Sequence, residues 1–315
     1  MANPLQLVTL SLTVALVAYF GPTFLSYLAP HIQPLIAYLS VSQGPVDFQC
    51  TPHNYTTTLI SLSPLLIYIH NFISPLESSS LIDMGLPLLQ PSPITGYGSD
   101  TQGSQSRTSW SAPLPINNSL VDCILARSES FMGTLLLQGR DSMGQAQLVR
   151  YTEGQKFDLH HDWFSRPRLL DEDAETGRKR LYNRIATVFL TLQAENITEG
   201  TGETWFPYVK AINSPISPGR NQDPEGSSLG GTENTRVQHR KDGSKARRDG
   251  THWWREHEDG GLAFKAIPGN ALFWVNLFPE NGTGDGRTLH AGLPVKGGVK
   301  TAMNIWPRVF FGPDA

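Results

Sequence analysis

His160 and Asp162 stand two residues apart in Phe157-Asp158-Leu159-His160-His161-Asp162-Trp163, and a third candidate ligand, His290, follows far downstream in Arg287-Thr288-Leu289-His290. On an extended strand residues i and i+2 point to one face, so His160 and Asp162 can grip one ion while His161 faces elsewhere. His290 must then arrive from another strand. Any fold that satisfies this pattern has to carry distant stretches of chain back to a single point. Two imidazoles and one carboxylate on one side of a metal leave open positions opposite, the facial arrangement of non-haem iron(II) sites. Ten residues after His290, Lys300 adds a compact point charge suited to a carboxylate.

The second half of the chain supplies segments that read as strands: 146–151, 156–163, 185–192, 263–267, 271–277 and 301–306. Many strands joined by turns predict a mostly β architecture with flanking helices, a sandwich or jelly roll. Upstream, 65–69 is a continuous apolar run that reads as a buried strand. Ser74-Pro75-Leu76-Glu77 has capping-box spacing with proline at the first helical position, which predicts a short helix to about Met84. Residues 87–103, rich in Pro, Gly, Ser and Thr, read as a loop. Val121, Ile124, Leu125 and Phe131 fall near one face of a helix over 120–131. Between 214 and 259 lies an insert of Gly, Ser, Asn, Asp and basic residues with too few apolar groups to offset its ordering entropy, so a mobile loop is expected there. Its basic cluster reads as solvated surface, or as a lid or a contact for an acidic partner.

At 315 residues with 39% hydrophobic side chains the chain can bury one sizeable core, placed at 42–315. A net charge of -3 gives no sign of nucleic acid as a partner. Residues 1–41 differ in character. Two apolar runs follow one another, and no Lys or Arg appears before Arg107. This segment reads as a hydrophobic signal anchor and stem, with a cleaved signal peptide as the alternative. Sequons at Asn54, Asn117, Asn196 and Asn281 fit a glycoprotein of the secretory pathway. Cys50 and Cys123 could pair there or remain free thiols, and the lack of a CxxC argues against structural zinc.

Several segments line up with one family: Tyr151-Thr152-Glu153-Gly154-Gln155-Lys156-Phe157 ahead of His160, Gly202-Glu203-Thr204-Trp205-Phe206-Pro207, Gly269-Asn270-Ala271-Leu272-Phe273-Trp274, and Leu289-His290-Ala291-Gly292-Leu293-Pro294-Val295 with Gly298-Val299-Lys300. Together they resemble the catalytic domain of prolyl 4-hydroxylases over roughly residues 64 to 311, the insert excepted. The resemblance implies a double-stranded β-helix, or jelly roll, with Fe(II), with 2-oxoglutarate and O₂ as co-substrates, and with ascorbate keeping the iron reduced. It implies metal ligation by His160, Asp162 and His290. Lys300 would pair with the far carboxylate of 2-oxoglutarate, helped by the hydroxyls of Tyr151 and Thr204, and Trp306 would line the pocket. An endoplasmic reticulum membrane location with a lumenal catalytic domain goes with it. Thr301 and Leu293 depart from the family pattern, which often has an aromatic and a cysteine there; both are expected on the substrate side.

A second HxD, His257-Glu258-Asp259, lacks the Gly-Gln frame that precedes His160. Three functions remain open at this point: hydroxylation of peptidyl proline, the same chemistry on a small molecule or biosynthetic peptide, and a catalytically silent, membrane-anchored binding module.

Overall fold

The computed structural model describes residues 48–93, 106–212 and 253–315. The apolar segment 1–41 and most of the insert lie outside these ranges. Among the described residues no helix is long and apolar enough to cross a membrane.

In chain order, β1 (Thr56–Leu62) and β2 (Leu65–His70) form a hairpin, followed by helix α1 (Pro75–Gly85). Next come β3 (Gln90–Pro91), β4 (Trp110–Pro113), helix α2 (Ser119–Met132), β5 (Gln147–Tyr151), β6 (Phe157–His160), β7 (Arg168–Leu169) and the short helix α3 (Asp171–Thr176). The chain continues through β8 (Leu181–Arg184), β9 (Ala186–Glu195), β10 (Thr204–Phe206), β11 (Trp254–Glu256), β12 (Leu262–Phe264), β13 (Ala271–Val275), β14 (His290–Gly292), β15 (Val299–Ile305) and β16 (Arg308–Phe311).

A large sheet runs β1-β2-β13-β9-β15-β5-β4-β3 and a smaller one β11-β12-β10-β14-β6. From β5 onward the chain keeps crossing between them: β5 lies in the large sheet, β6 in the small, β9 large, β10 and β12 small, β13 large, β14 small, β15 large. Neighbours pair antiparallel throughout. This is a double-stranded β-helix. Its two inner faces meet in one apolar cluster, where Leu66, Tyr68, Leu272 and Trp274 of the large sheet pack against Phe206, Leu262 and Phe264 of the small. A third, three-stranded sheet, β16-β8-β7, stands beside the roll.

The central strand β9 reads Ala-Thr-Val-Phe-Leu-Thr-Leu and is buried on both faces along most of its length, which is why it lacks polar alternation. The capping box opens α1 as its spacing predicts: Ser74 Oγ accepts from Glu77 N–H and Glu77 accepts from Ser74 N–H. Glu77 also receives a bidentate pair from Arg127 of α2, which ties the two helices together. At Gly85 a Cβ would run into the side chains of Leu148 and Leu114, so glycine there lets α1 lie close against β5.

Two differences from the sequence expectation bear on the site. The strand expected over 156–163 ends at His160, leaving Asp162 in the turn beyond. Of the insert expected over 214–259, the described end from 253 is structured: Trp254–Glu256 pairs with β12, and the Trp253 ring lies 4.0 Å from that of Tyr68. Two adjacent tryptophans bury enough apolar area to fix this end of the insert.

Cys50 and Cys123 form a disulfide with Cα atoms 5.5 Å apart, joining the entry to the domain to buried helix α2 across a sequence separation of 73. Closing so long a loop restricts the unfolded chain by up to about 4 kcal/mol. A Cys50→Ala/Cys123→Ala variant should therefore melt roughly 5 to 15 °C lower. In scanning calorimetry, dithiothreitol should shift the parent protein and leave the variant unmoved.

Candidate active site

The β14–β6 pairing sets His290 directly opposite His160. Across an antiparallel pair such residues are close neighbours, so the sheet itself joins two positions far apart in sequence. The His160 Nδ1–H donates to Asp158 O (2.7 Å), and the His290 Nδ1–H donates to Thr288 O (2.9 Å). With each Nδ1 so engaged, both Nε2 atoms turn inward with lone pairs free for a metal. They lie 3.7 Å from the two oxygens of Asp162, and the three donor groups fall within 4.8 Å of one another. Asp162 is oriented in turn: its Oδ2 accepts from the Thr187 hydroxyl at 2.8 Å, and the Thr187 oxygen accepts from Asn276 Nδ2 at 2.9 Å. His161 faces away, with Nε2 at Gly286 O and its ring against Trp163.

Burial lowers the basicity of both imidazoles, and for His160 the neighbouring His290 lowers it further. Burial alone would raise Asp162, yet His290, His160 and Arg184 outweigh it and hold the carboxyl ionised. Two neutral imidazoles and one carboxylate are the protonation states that metal binding demands, so the donor set fits Fe(II) without releasing protons. The indole N–H groups of Trp274 and Trp306, both lining the same cavity, are buried donors without a hydrogen-bond partner of good geometry. Trp306 nevertheless approaches the Asp162 carboxylate closely enough to favour its charge. Such orphaned donors suit a cavity that takes in polar, oxygen-rich molecules.

Lys300 lines the same cavity and is 2% exposed. It faces Tyr151 across the β15–β5 pair, and its Nζ donates to Gly202 O at 2.8 Å and to Thr204 Oγ1 at 3.4 Å. Burial pushes its pKa down to about 8, while the charge of Glu203 works the other way. Tyr151, Thr204 and Trp306 line this cavity together with His160, Asp162, His290 and Lys300, so all seven expected residues converge on one space. The second HxD also gathers its side chains, but Glu258 and Asp259 are exposed and His257 Nδ1 accepts the Asp259 N–H in a local turn.

Thr301 does not face the substrate side. Strand alternation turns it outward, where its hydroxyl donates to Gln193 Oε1 and accepts from Arg150. Residues that motif reading passed over also border the cavity: Phe157, whose ring stacks 3.5 Å from His160, Phe189 and Asn304. Every second residue from Lys300 along β15 and just past its end is Ala302, Asn304 and Trp306, and the last two line the cavity. Arg107 also borders the cavity, its guanidinium 4.6 Å over the Phe157 ring.

No family model matches the chain. Among known proteins it is similar to Prolyl 4-hydroxylase 13 of Arabidopsis thaliana, 29% identical over 250 residues that cover 79% of this chain and 73% of that one. It is also similar to Prolyl 4-hydroxylase 2 of the same plant, 28% identical over 251 residues, covering 79% and 69%. Among solved structures, the viral collagen prolyl hydroxylase of Paramecium bursaria Chlorella virus-1 in its 2OG complex superposes with a TM-score of 0.46 at 20% identity, covering 84% of this chain and 99% of that one. Similarity over most of its length to proteins named prolyl 4-hydroxylases, joined to a buried cluster whose donors suit iron(II), marks the chain as a 2-oxoglutarate/Fe(II)-dependent dioxygenase.

Proposed function

We propose that the protein hydroxylates peptidyl proline, with His160, Asp162 and His290 holding the iron and Lys300 holding the far carboxylate of 2-oxoglutarate. The observation that carries this reading is that the His-Asp-His cluster and a buried lysine share one cavity. Relatives that are named prolyl 4-hydroxylases support the substrate class. Bound iron supplies activation of O₂, coupled to oxidative decarboxylation of the keto acid. The chain's own residues supply position and charge. Thr187 and Asn276 keep the Asp162 carboxylate turned toward the metal. Lys300 offers a desolvated ammonium, with the hydroxyls of Tyr151 and Thr204 beside it, and Trp274, Trp306, Phe157 and Phe189 exclude water around the reacting groups.

The same reading includes ascorbate as reductant and a lumenal site of action, tethered through the apolar segment 1–41. The Cys50–Cys123 disulfide and the exposed positions of Asn54, Asn117, Asn196 and Asn281 are compatible with an oxidising, glycosylating compartment.

Incubated with Fe(II), 2-oxoglutarate and proline-rich peptides, the protein should add one oxygen atom to proline, read by mass spectrometry. His160→Ala should abolish the gain. Turnover of 2-oxoglutarate with a metabolite panel but with none of the peptides would move the assignment to a small-molecule substrate. Thr187→Val leaves both Asp162 and Asn276 short of a partner, and should weaken metal binding about 10- to 100-fold in a Co(II) titration, whereas Thr187→Ser should hold it.

The Lys300 ammonium is the form that attracts a carboxylate. Because its pKa in the free protein is about 8, the affinity for 2-oxoglutarate should be flat below that pH and fall above it, by up to about tenfold per pH unit. Anaerobic calorimetric titration would show this slope, and an affinity that stays level to about pH 9.5 would remove Lys300 from the role.

A further inference from the structure

The third sheet brings a row of arginines to the cavity. Arg184, the last residue of β8, stands directly opposite Arg308, the first of β16, and Arg168 of β7 is opposite Tyr182 of β8. Like charges directly across an antiparallel pair are unfavourable, so this arrangement calls for a compensating anion. The guanidiniums are held in place by aromatic faces: Arg168 lies 3.9 Å over Phe164, Arg184 3.8 Å over Trp306, and Arg308 5.0 Å over Tyr182. Trp306 lines the cavity and Arg184 donates to the backbone carbonyl of Asp162, so the row opens onto the site.

Carboxylates that could serve as counter-ions nearby are already committed. Asp173 is taken by Arg180, Asp285 by Arg287, Asp141 by Arg140, and Asp162 by the metal cluster. Asp171, Glu172 and Glu175 of the following helix are exposed. Among the described residues no ion pair joins them, or any other carboxylate, to Arg168 or Arg308.

We propose that this arginine row selects peptides bearing an acidic side chain next to the residue that is hydroxylated. The inference rests on the peptide reading above and narrows it. An incoming carboxylate would meet planar donors already oriented by stacking, able to receive it bidentately, and would relieve the Arg184–Arg308 opposition. A lysine or arginine in the same place would add to that repulsion.

Three proline peptides of equal length, differing only in Asp, Asn or Lys beside the proline, test this. The acidic peptide should show a KM about tenfold or more below the neutral one, with the basic peptide poorest, and added salt should shrink the gap. Arg168→Gln and Arg308→Gln should each raise KM for the acidic peptide far more than they lower kcat, and Arg308→Lys should recover part of the preference. Arg168 is exposed, so its variant is the less able to disturb folding, and circular dichroism checks both. Fluorescence anisotropy with labelled peptides carrying Ala in place of proline separates the two readings. Arg308-dependent binding of the acidic Ala peptide without hydroxylation of any proline peptide would keep the charge selection and sink the proline assignment. Equal KM and equal binding for Asp and Asn peptides, or an acidic preference unchanged in the Arg168→Gln/Arg308→Gln double variant, would overturn the inference.

Discussion

The cross-strand pairing of His290 with His160 is the constraint on which the rest of the site depends. Both imidazoles are turned by hydrogen bonds to carbonyls two residues back in their own chain, Asp158 and Thr288, so each strand delivers a pre-oriented ligand before any metal arrives. Asp162 is the costly member. A buried carboxylate demands compensation, and here it comes from the Thr187 hydroxyl, the backbone-anchored Arg184 and the two histidines. Thr187 lies on β9 and Asn276 just after β13, so the strands of the large sheet hold a ligand that belongs to the turn after β6 in the small one. Closing the roll and building the metal cluster are therefore one event.

The opposite end of the cavity is governed by a second buried charge. Lys300 sits on the large sheet, but its ammonium is satisfied by Gly202 and Thr204, at and just before the start of a strand in the small sheet. Glu203, between them, is 1% exposed and held by Arg255 with three short contacts, the shortest 2.6 Å. Cationic lysine and anionic glutamate thus sit on neighbouring residues of the two sheets, and Arg255 balances the glutamate from β11. Removing the guanidinium would leave a buried carboxylate beside the lysine without its main partner, which is the kind of change that costs several kcal/mol. An ordered end to the insert is thereby connected to the end of the cavity meant for the keto acid.

Much of this was legible in the sequence because metal ligation imposes spacing that packing does not. The i and i+2 pair, the distant histidine and the lysine ten residues on could be read without knowing a single contact. Strand existence was readable where apolar runs were long, as in β9 and β13. It failed for β7, β8 and β16, which are short and carry arginines whose guanidiniums lie over rings, contacts that do not show in an apolar count. Thr187 and Asn276 look like ordinary strand residues, and only the register that brings β9 beside β13 gives them a role. Trp253 and Trp254 did signal order at the end of the insert, but the polar composition around them masked it.

The position of Thr301 bears on where specificity resides. A departure from the family pattern next to Lys300 looked like a change in the substrate pocket, yet alternation along β15 places it on the outer face, in a network with Gln193 and Arg150. Cavity-lining residues on that strand and just after it are Lys300, Asn304 and Trp306, and the first of these faces the carboxylate end of the site. The departure at Thr301 thus lies off the cavity, and substrate choice is better sought at the rim. There the third sheet is the natural candidate, because it shares Trp306 with the cavity through Arg184 while contributing no ligand to the metal. The roll fixes what is done to the substrate, and on the proposal above the three-stranded sheet beside it would decide which peptides are admitted.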